Sequence, residues 1–238
     1  MGINTFFISC TILRANNIRN YKHIIWDWNG TLFNDVELCV DVLNGLLVRR
    51  DLPAFSIEAY KDIFTFPVKD YYAKAGLDLE KYSFEELGKE WMDEYESRRL
   101  EGKLFSSAEK VMQLINSNGI EQSILSAYKH DTLLELITHF NLNRFFTHLT
   151  GLDHIYATSK LELGKNLMKK LNHLNSNVLL IGDTVHDFEV AQAMKIGCIL
   201  IAEGHQSKEK LIPCGVDVYD SLKHIIENAV IKKNEFII

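Results

Sequence analysis

Residues 24–32 read IIWDWNGTL. Three large apolar side chains run into a carboxylate, Asp27, and the chain then turns through Trp28, Asn29, Gly30 and Thr31. A β-branched run bounded by turn residues predicts a strand, and unbroken apolarity across Ile24, Ile25 and Trp26 predicts one buried on both faces. Four later segments read the same way: "QSILSA" (122–127), "FFTHLTG" (145–151), "VLLIGD" (178–183) and "CILIA" (198–202). Between them lie helical patterns. "SSAEKVMQLINSNG" (106–119) opens with Ser106 and Glu109 at capping-box spacing. "DTLLELITHFNL" follows, and "SKLELGKNLMKKLNHL" sets Leu163, Leu167, Leu171 and Leu174 on one face. "TVHDFEVAQAMKIG" reads as a helix ending at Gly197, and "DSLKHIIENAV" as a last one. Strands alternating with helices make an α/β fold with a Rossmann-like parallel sheet covered on both faces.

Residues 34–103 interrupt that alternation. "DVELCVDVLNGLLVRRDLP" spaces Val36, Val40, Leu43 and Leu47 helically and stops before Pro53, and "SFEELGKEWMDEYESRRLEG" places Leu87, Trp91 and Tyr95 four apart. "SIEAYKDIFTFPVKDYYAKAG" between them reads as shorter helices broken at Pro67. The expected organisation is an α/β core from 21–33 plus 104–238, an all-helical insert at 34–103 with no strand in it, and an N-terminal extension at 1–20. That extension reads equally as a peripheral strand, a disordered tail or the product of an upstream start codon.

An apolar content of 47% is ample for a core at this length, 238 residues. A net charge of −6 carries no electrostatic footprint for nucleic acid or an anionic membrane. The apolar N-terminal stretch is too short to span a bilayer, and no basic leader precedes it. Cys10, Cys39, Cys198 and Cys214 are widely separated with no zinc spacing, which suits a reduced, cytoplasmic compartment.

In parallel sheets, ligands bind beyond the carboxyl ends of the strands, where strand order reverses. The strand ends here carry Asp27, with Asn29, Gly30 and Thr31; Ser126, with Ala127; and Asp183, followed by Asp187. Lys160 opens the helix before the "VLLIGD" strand. Each alone reads as a cap, a turn residue or a surface charge. Together, three carboxylates at one edge would repel by about 4 kcal/mol per pair at 4 Å and an effective dielectric near 20. Such a site wants a hard cation, and few carboxylates with room for water is how Mg²⁺ is usually held. Lys160, Ser126 and the backbone N–H groups of the Gly30–Thr31 turn are donors suited to phosphoryl oxygens. A carboxylate facing a metal-bound phosphate can attack phosphorus.

"DWNGTL", "ILSA", Lys160 and "IGDTVHD" together resemble the four motifs of the haloacid dehalogenase superfamily, nearest its phosphoglycolate phosphatase and β-phosphoglucomutase branches. The resemblance covers residues 21 to about 225, and the block 34–103 is similar to the cap domain these branches insert after the first motif. It implies a Mg²⁺-dependent phosphatase acting on a small phosphorylated metabolite, with Asp27 as nucleophile. It implies that Asp183 and the main-chain carbonyl of Asn29 bind Mg²⁺ beside Asp27, with Asp187 close by, and that Ser126 and Lys160 hold the phosphate. The usual Lys-Pro pair is here Lys160-Leu161, with Lys165 as a fallback.

Position 29 departs from the phosphatase pattern, which has Asp two residues after the nucleophile to protonate the leaving group. The Asn29 amide cannot exchange a proton at neutral pH, and general acid–base help is worth about 10²–10⁴ in rate. Three readings follow. In the first, a phosphatase takes leaving groups that need little protonation, or His186, Lys69, Tyr71 or Tyr72 supplies the proton. In the second, the same nucleophile does C–P or C–halogen chemistry, with Lys69 the one cap lysine to test as a Schiff base. In the third, the protein is a catalytically weak module that binds Mg²⁺ and a phosphometabolite. Substrate selection is expected within "FTFPVKDYYAKAG" (64–76), Lys69 included.

Overall fold

The computed structural model describes residues 18–153 and 159–231. Its centre is a six-stranded parallel sheet. The strands are β1 (His23–Trp26), β4 (Glu121–Lys129), β5 (His148–Leu152), β6 (Val178–Gly182), β7 (Gly197–Ile201) and β8 (Asp217–Tyr219). Their order across the sheet is β5-β4-β1-β6-β7-β8. The chain builds outward from β1 on one side, then crosses back to build outward on the other. The order therefore reverses at β1, flanked by β4 and β6.

β1, β6 and β7 are buried along their whole length, as their unbroken apolar runs predict. Successive residues face opposite sides of the sheet. Ile24, Trp26, Leu179, Ile181 and Ile199 pack into one apolar cluster, and Ile25, Val178, Leu180, Cys198 and Leu200 into the other.

Between β1 and β4 the chain makes a two-residue strand β2 (Phe33–Asn34), then α1 (Val36–Val48), α2 (Ile57–Ile63), α3 (Val68–Lys74) and α4 (Phe84–Arg98). It returns through β3 (Lys103–Leu104) and α5 (Ala108–Ser117). β2 and β3 pair antiparallel, Phe33 with Leu104 and Asn34 with Lys103. The expectation of no strand at the edges of this block is thus corrected: the chain leaves and re-enters through one short ribbon. α1 and α4 are tied by Arg49 to Glu90 and Glu94, and by Arg50 to Glu90. The remaining helices are α6 (His130–His139), α7 (Lys160–Leu171), α8 (Val185–Met194), α9 (Lys208–Leu211) and α10 (Lys223–Ile231).

Three local expectations change. The Ser106/Glu109 capping box does not form, because α5 starts at Ala108 behind Ser107 and Glu109 pairs with Arg144 at 2.5 Å. The capping boxes that do form are Ser83/Glu86 on α4 and Thr184/Asp187 on α8. α8 ends at Met194 on a left-handed Lys195, which leaves Gly197 to open β7. α7 ends three residues before Leu174, which is 72% exposed. Of the N-terminal extension, residues 1–17 lie outside the described residues, and Ile18–Asn20 form one 3-10 turn. Among the described residues no helix is long and apolar enough to cross a membrane.

Candidate functional site

The reversal of strand order puts three strand ends side by side. Asp27 directly follows β1, Asp183 follows β6, and Ser126 and Ala127 lie near the end of β4. All line one cavity of about 310 Å³ together with Asn29, Lys160 and Asp187. Carboxylate oxygens of Asp27, Asp183 and Asp187 lie within 4.8 Å of one another, and all three residues are buried.

Lys160, at the start of α7, is 5% exposed. Its ammonium donates to Asp27 Oδ1, and to Asp187 Oδ1 at 2.5 Å. Lys165 points elsewhere and pairs with Glu162 on the exposed side of the helix at 2.6 Å. Asp187 is the third residue of α8, and its other oxygen accepts from the Thr184 N–H (3.0 Å), the Thr184 hydroxyl (2.6 Å) and the Asp183 N–H (3.2 Å). It therefore fixes the loop that carries Asp183. The Thr31 hydroxyl donates to Asp183 Oδ1 at 3.0 Å, and the His205 N–H donates to Oδ2 at 2.6 Å.

Gly30 sits at φ +73°, and a Cβ there would lie 2.2 Å from Asp183 Oδ2. Only glycine lets the turn after Asp27 close against the partner carboxylate. That turn holds its own amides. The Gly30 N–H is bonded to Phe33 O (2.8 Å) and Asp35 Oδ1 (3.2 Å), and the Thr31 N–H to Trp28 O (3.3 Å). The expectation that these two N–H groups receive phosphate is corrected, because folding back to start β2 engages both.

The electrostatics show what is missing from the balance. Burial pushes the Asp27 carboxyl up to about 8 against the pull of Lys160, with Asp187 and Asp183 adding to the rise. Burial also raises Asp183, to about 6, against His205. Burial opposes ionisation of Asp187 too, but the charge and hydrogen bond of Lys160 prevail and hold it below the ordinary value. One ammonium thus stands among three carboxylates, all hard oxygen donors. That set fits a divalent hard cation such as Mg²⁺ rather than a softer metal.

The Asn29 amide is turned away from these carboxylates. It donates to Asp35 Oδ2 (2.8 Å) and to the Tyr95 hydroxyl (2.9 Å). Asp35 also accepts from Tyr95 (2.7 Å), from Cys39 (3.5 Å) and from His205 Nε2 (3.2 Å). His205 Nδ1 lies 2.9 Å from the Tyr60 hydroxyl. Burial opposes both charges of the Asp35–His205 pair. Even so, each holds the other ionised: Asp35 is lowered and His205 raised. This hub links the helical block to the β1 and β7 loops, and neither Asp35 nor His205 was singled out by sequence. Asp35 reads as the cap of α1, yet its side chain makes no cap bond. His205 lies in the loop after β7, a strand end that carried no such motif.

The helical block walls the cavity with Phe64, Phe66, Tyr71, Tyr72, Phe84 and Trp91. His186 reaches it as well, its ring 4.9 Å from that of Phe66. Lys69 does not. It is exposed on α3, which turns Tyr71 and Tyr72 inward instead, so the expectation that Lys69 binds substrate is corrected.

A family model described as haloacid dehalogenase-like hydrolase matches residues 24–201. No curated protein matches the sequence. Among solved structures, a predicted phosphatase from Clostridium acetobutylicum is similar at TM-score 0.72 and 19% identity, covering 91% of this chain and 99% of that one. A haloacid dehalogenase-like family hydrolase from Streptococcus pneumoniae is similar at 0.73 and 16%, covering 87% and 98%. A predicted phosphoglycolate phosphatase from Haemophilus somnus is similar at 0.70 and 14%, covering 91% and 98%. At these identities the likeness is one of fold.

Proposed function

This chain belongs to the haloacid dehalogenase-like hydrolase family, and on that footing we propose that it is a Mg²⁺-dependent phosphatase of a small phosphorylated metabolite. The observation that carries this reading is Lys160, buried and bonded to both Asp27 and Asp187 at the edge of a three-carboxylate cluster. Asp27 is the nucleophile. One of its oxygens bonds to phosphorus as the ester P–O bond breaks, and the alcohol oxygen leaves with the bonding pair. Water then attacks the phosphorus of the acyl phosphate, releasing inorganic phosphate and restoring Asp27.

Lys160 orients Asp27 and favours its ionised form against burial, and Ser126, whose oxygen already accepts from the Tyr128 N–H at 3.0 Å, has its O–H to donate to a phosphoryl oxygen. Asp27, Asp183 and the Asn29 carbonyl would hold the Mg²⁺, which when bound offsets the charge of the phosphoryl oxygens. Asp187 acts through the Asp183 loop and Lys160. Residues 34–103 serve as a cap that excludes water from the cavity.

The C–P reading loses the residue it named, since Lys69 is exposed on α3 and does not line the cavity. The deciding experiment is hydrolysis of acetyl phosphate and p-nitrophenyl phosphate with Mg²⁺ or with EDTA. Turnover should require Mg²⁺ and vanish in Asp27→Asn, and activity retained in that variant overturns the mechanism.

A further inference from the structure

The cavity also carries information about the other half of the ester. We propose, resting on the phosphatase reading above, that the substrate is an aryl phosphate: a phosphomonoester of a flat aromatic alcohol.

Two independent features lead there. The first is the wall. The side of the cavity built by α2–α4 and their links is aromatic, from Phe64 to Trp91. The charged residues that the block 34–103 brings to the cavity are the buried Asp35 before α1, already engaged by His205, and Glu85, which is an acid. Of the lysines that line the cavity, Lys160 is held by two carboxylates, and Lys129 lies on β4 with Asp131 at 4.0 Å. A leaving group with its own carboxylate, such as glycolate, would be desolvated without a partner from the cap. The hydroxyls of a sugar would meet rings.

The second is the amide at position 29. Its N–H₂ is committed to Asp35 and Tyr95, so it neither donates a proton nor approaches the leaving oxygen as an acid. Leaving groups able to depart without a proton from this position are then favoured. Phenols ionise near 10, whereas a water-like hydroxyl does so at about 15.7. In the step proposed, Asp27 bonds to phosphorus and the aryl C–O bond stays intact. The P–O bond breaks with both electrons on the phenolate, which takes its proton from water on release.

The test is a steady-state panel on the full chain with Mg²⁺, reading inorganic phosphate. The esters are phenyl, 4-acetylphenyl, 1-naphthyl and benzyl phosphate, glucose 6-phosphate and 2-phosphoglycolate, with acetyl phosphate as the activated control. The aromatic esters, benzyl included, should show KM values about tenfold or more below those of the sugar and glycolate esters. The kcat for phenyl phosphate should exceed that for benzyl phosphate by on the order of 10². Equal or lower KM for the sugar or glycolate ester, with turnover still lost in Asp27→Asn, overturns the substrate class and leaves the phosphatase standing. No phosphate released from any ester or from acetyl phosphate overturns both.

Discussion

Replacing Lys160 with methionine keeps the volume of a buried side chain and removes the ammonium bonded to Asp27 and Asp187. Breaking a buried pair on one side costs about 3–5 kcal/mol, because the remaining charge is left uncompensated. Repulsion among the carboxylates is of similar size, about 4 kcal/mol per pair at 4 Å and an effective dielectric near 20. The two do not add, since crowded carboxylates relieve themselves by taking up protons. The expected loss is therefore about 3–5 kcal/mol at about pH 8.5 without divalent cations.

The pH sign follows from the carboxyls themselves. Asp27 and Asp183 are already raised by burial, to about 8 and about 6, and without Lys160 they rise further. An acid raised on folding contributes stability that is complete below its unfolded value near 4 and is lost as pH rises through its folded value. The deficit of the variant should accordingly shrink towards about pH 5.5. Urea unfolding in EDTA at the two pH values measures it, and added Mg²⁺ should recover part of the loss by mass action. A variant within about 1 kcal/mol of the parent at the higher pH would refute the placement of Lys160 between two ionised carboxylates. So would a deficit that grows on acidification.

Two further perturbations test other parts of the molecule. His23, at the start of β1, is held down to about 4, chiefly by burial and against its bond to Glu121. A base lowered on folding stabilises above its unfolded value near 6.5 and loses that contribution as pH falls towards 4, so wild type should lose about 2 kcal/mol more than His23→Gln between pH 7 and 5. Parallel urea curves for the two proteins would count against it. Asn29→Asp sets a second carboxylate where the amide now lies 2.8 Å from Asp35, so the pair should share a proton at a cost of about 1–3 kcal/mol. That proton should raise kcat on alkyl phosphates about tenfold or more relative to aryl phosphates, and an unchanged alkyl-to-aryl ratio removes the missing acid as the reason for leaving-group selection.

The core and the motif residues were open to a reader of the chain because each rests on a local pattern. Ile24–Trp26 and Val178–Ile181 are apolar at every position, which only a strand covered on both faces requires, and both are wholly buried. Asp27, Ser126 and Asp183 stand at strand ends, and parallel strands bring such ends to one edge. Lys160 was harder to choose over Lys165, since the two lie on the same helix. Only the fold shows Lys165 turned to Glu162 and Lys160 buried against Asp27 and Asp187.

Boundaries set by a competing bond were less legible. Ser106 and Glu109 have the spacing of a capping box, but Glu109 pairs with Arg144 from a distant segment, a partner that no local spacing announces. Gly30 and Thr31 look like phosphate donors until the turn closes on Phe33 and Trp28.

By itself, the sequence determined that this chain forms a parallel α/β sheet, with its acids gathered where the strand order turns back. Periodicity and turn chemistry are written within a few neighbouring residues. The tertiary structure alone decided what surrounds those acids: the Asp35–His205 pair that draws the Asn29 amide aside, and the aromatic wall of the cavity. Each of those side chains has an ordinary local role as a cap, a loop residue or a helix face. They become one environment only when segments more than a hundred residues apart pack together and exclude water.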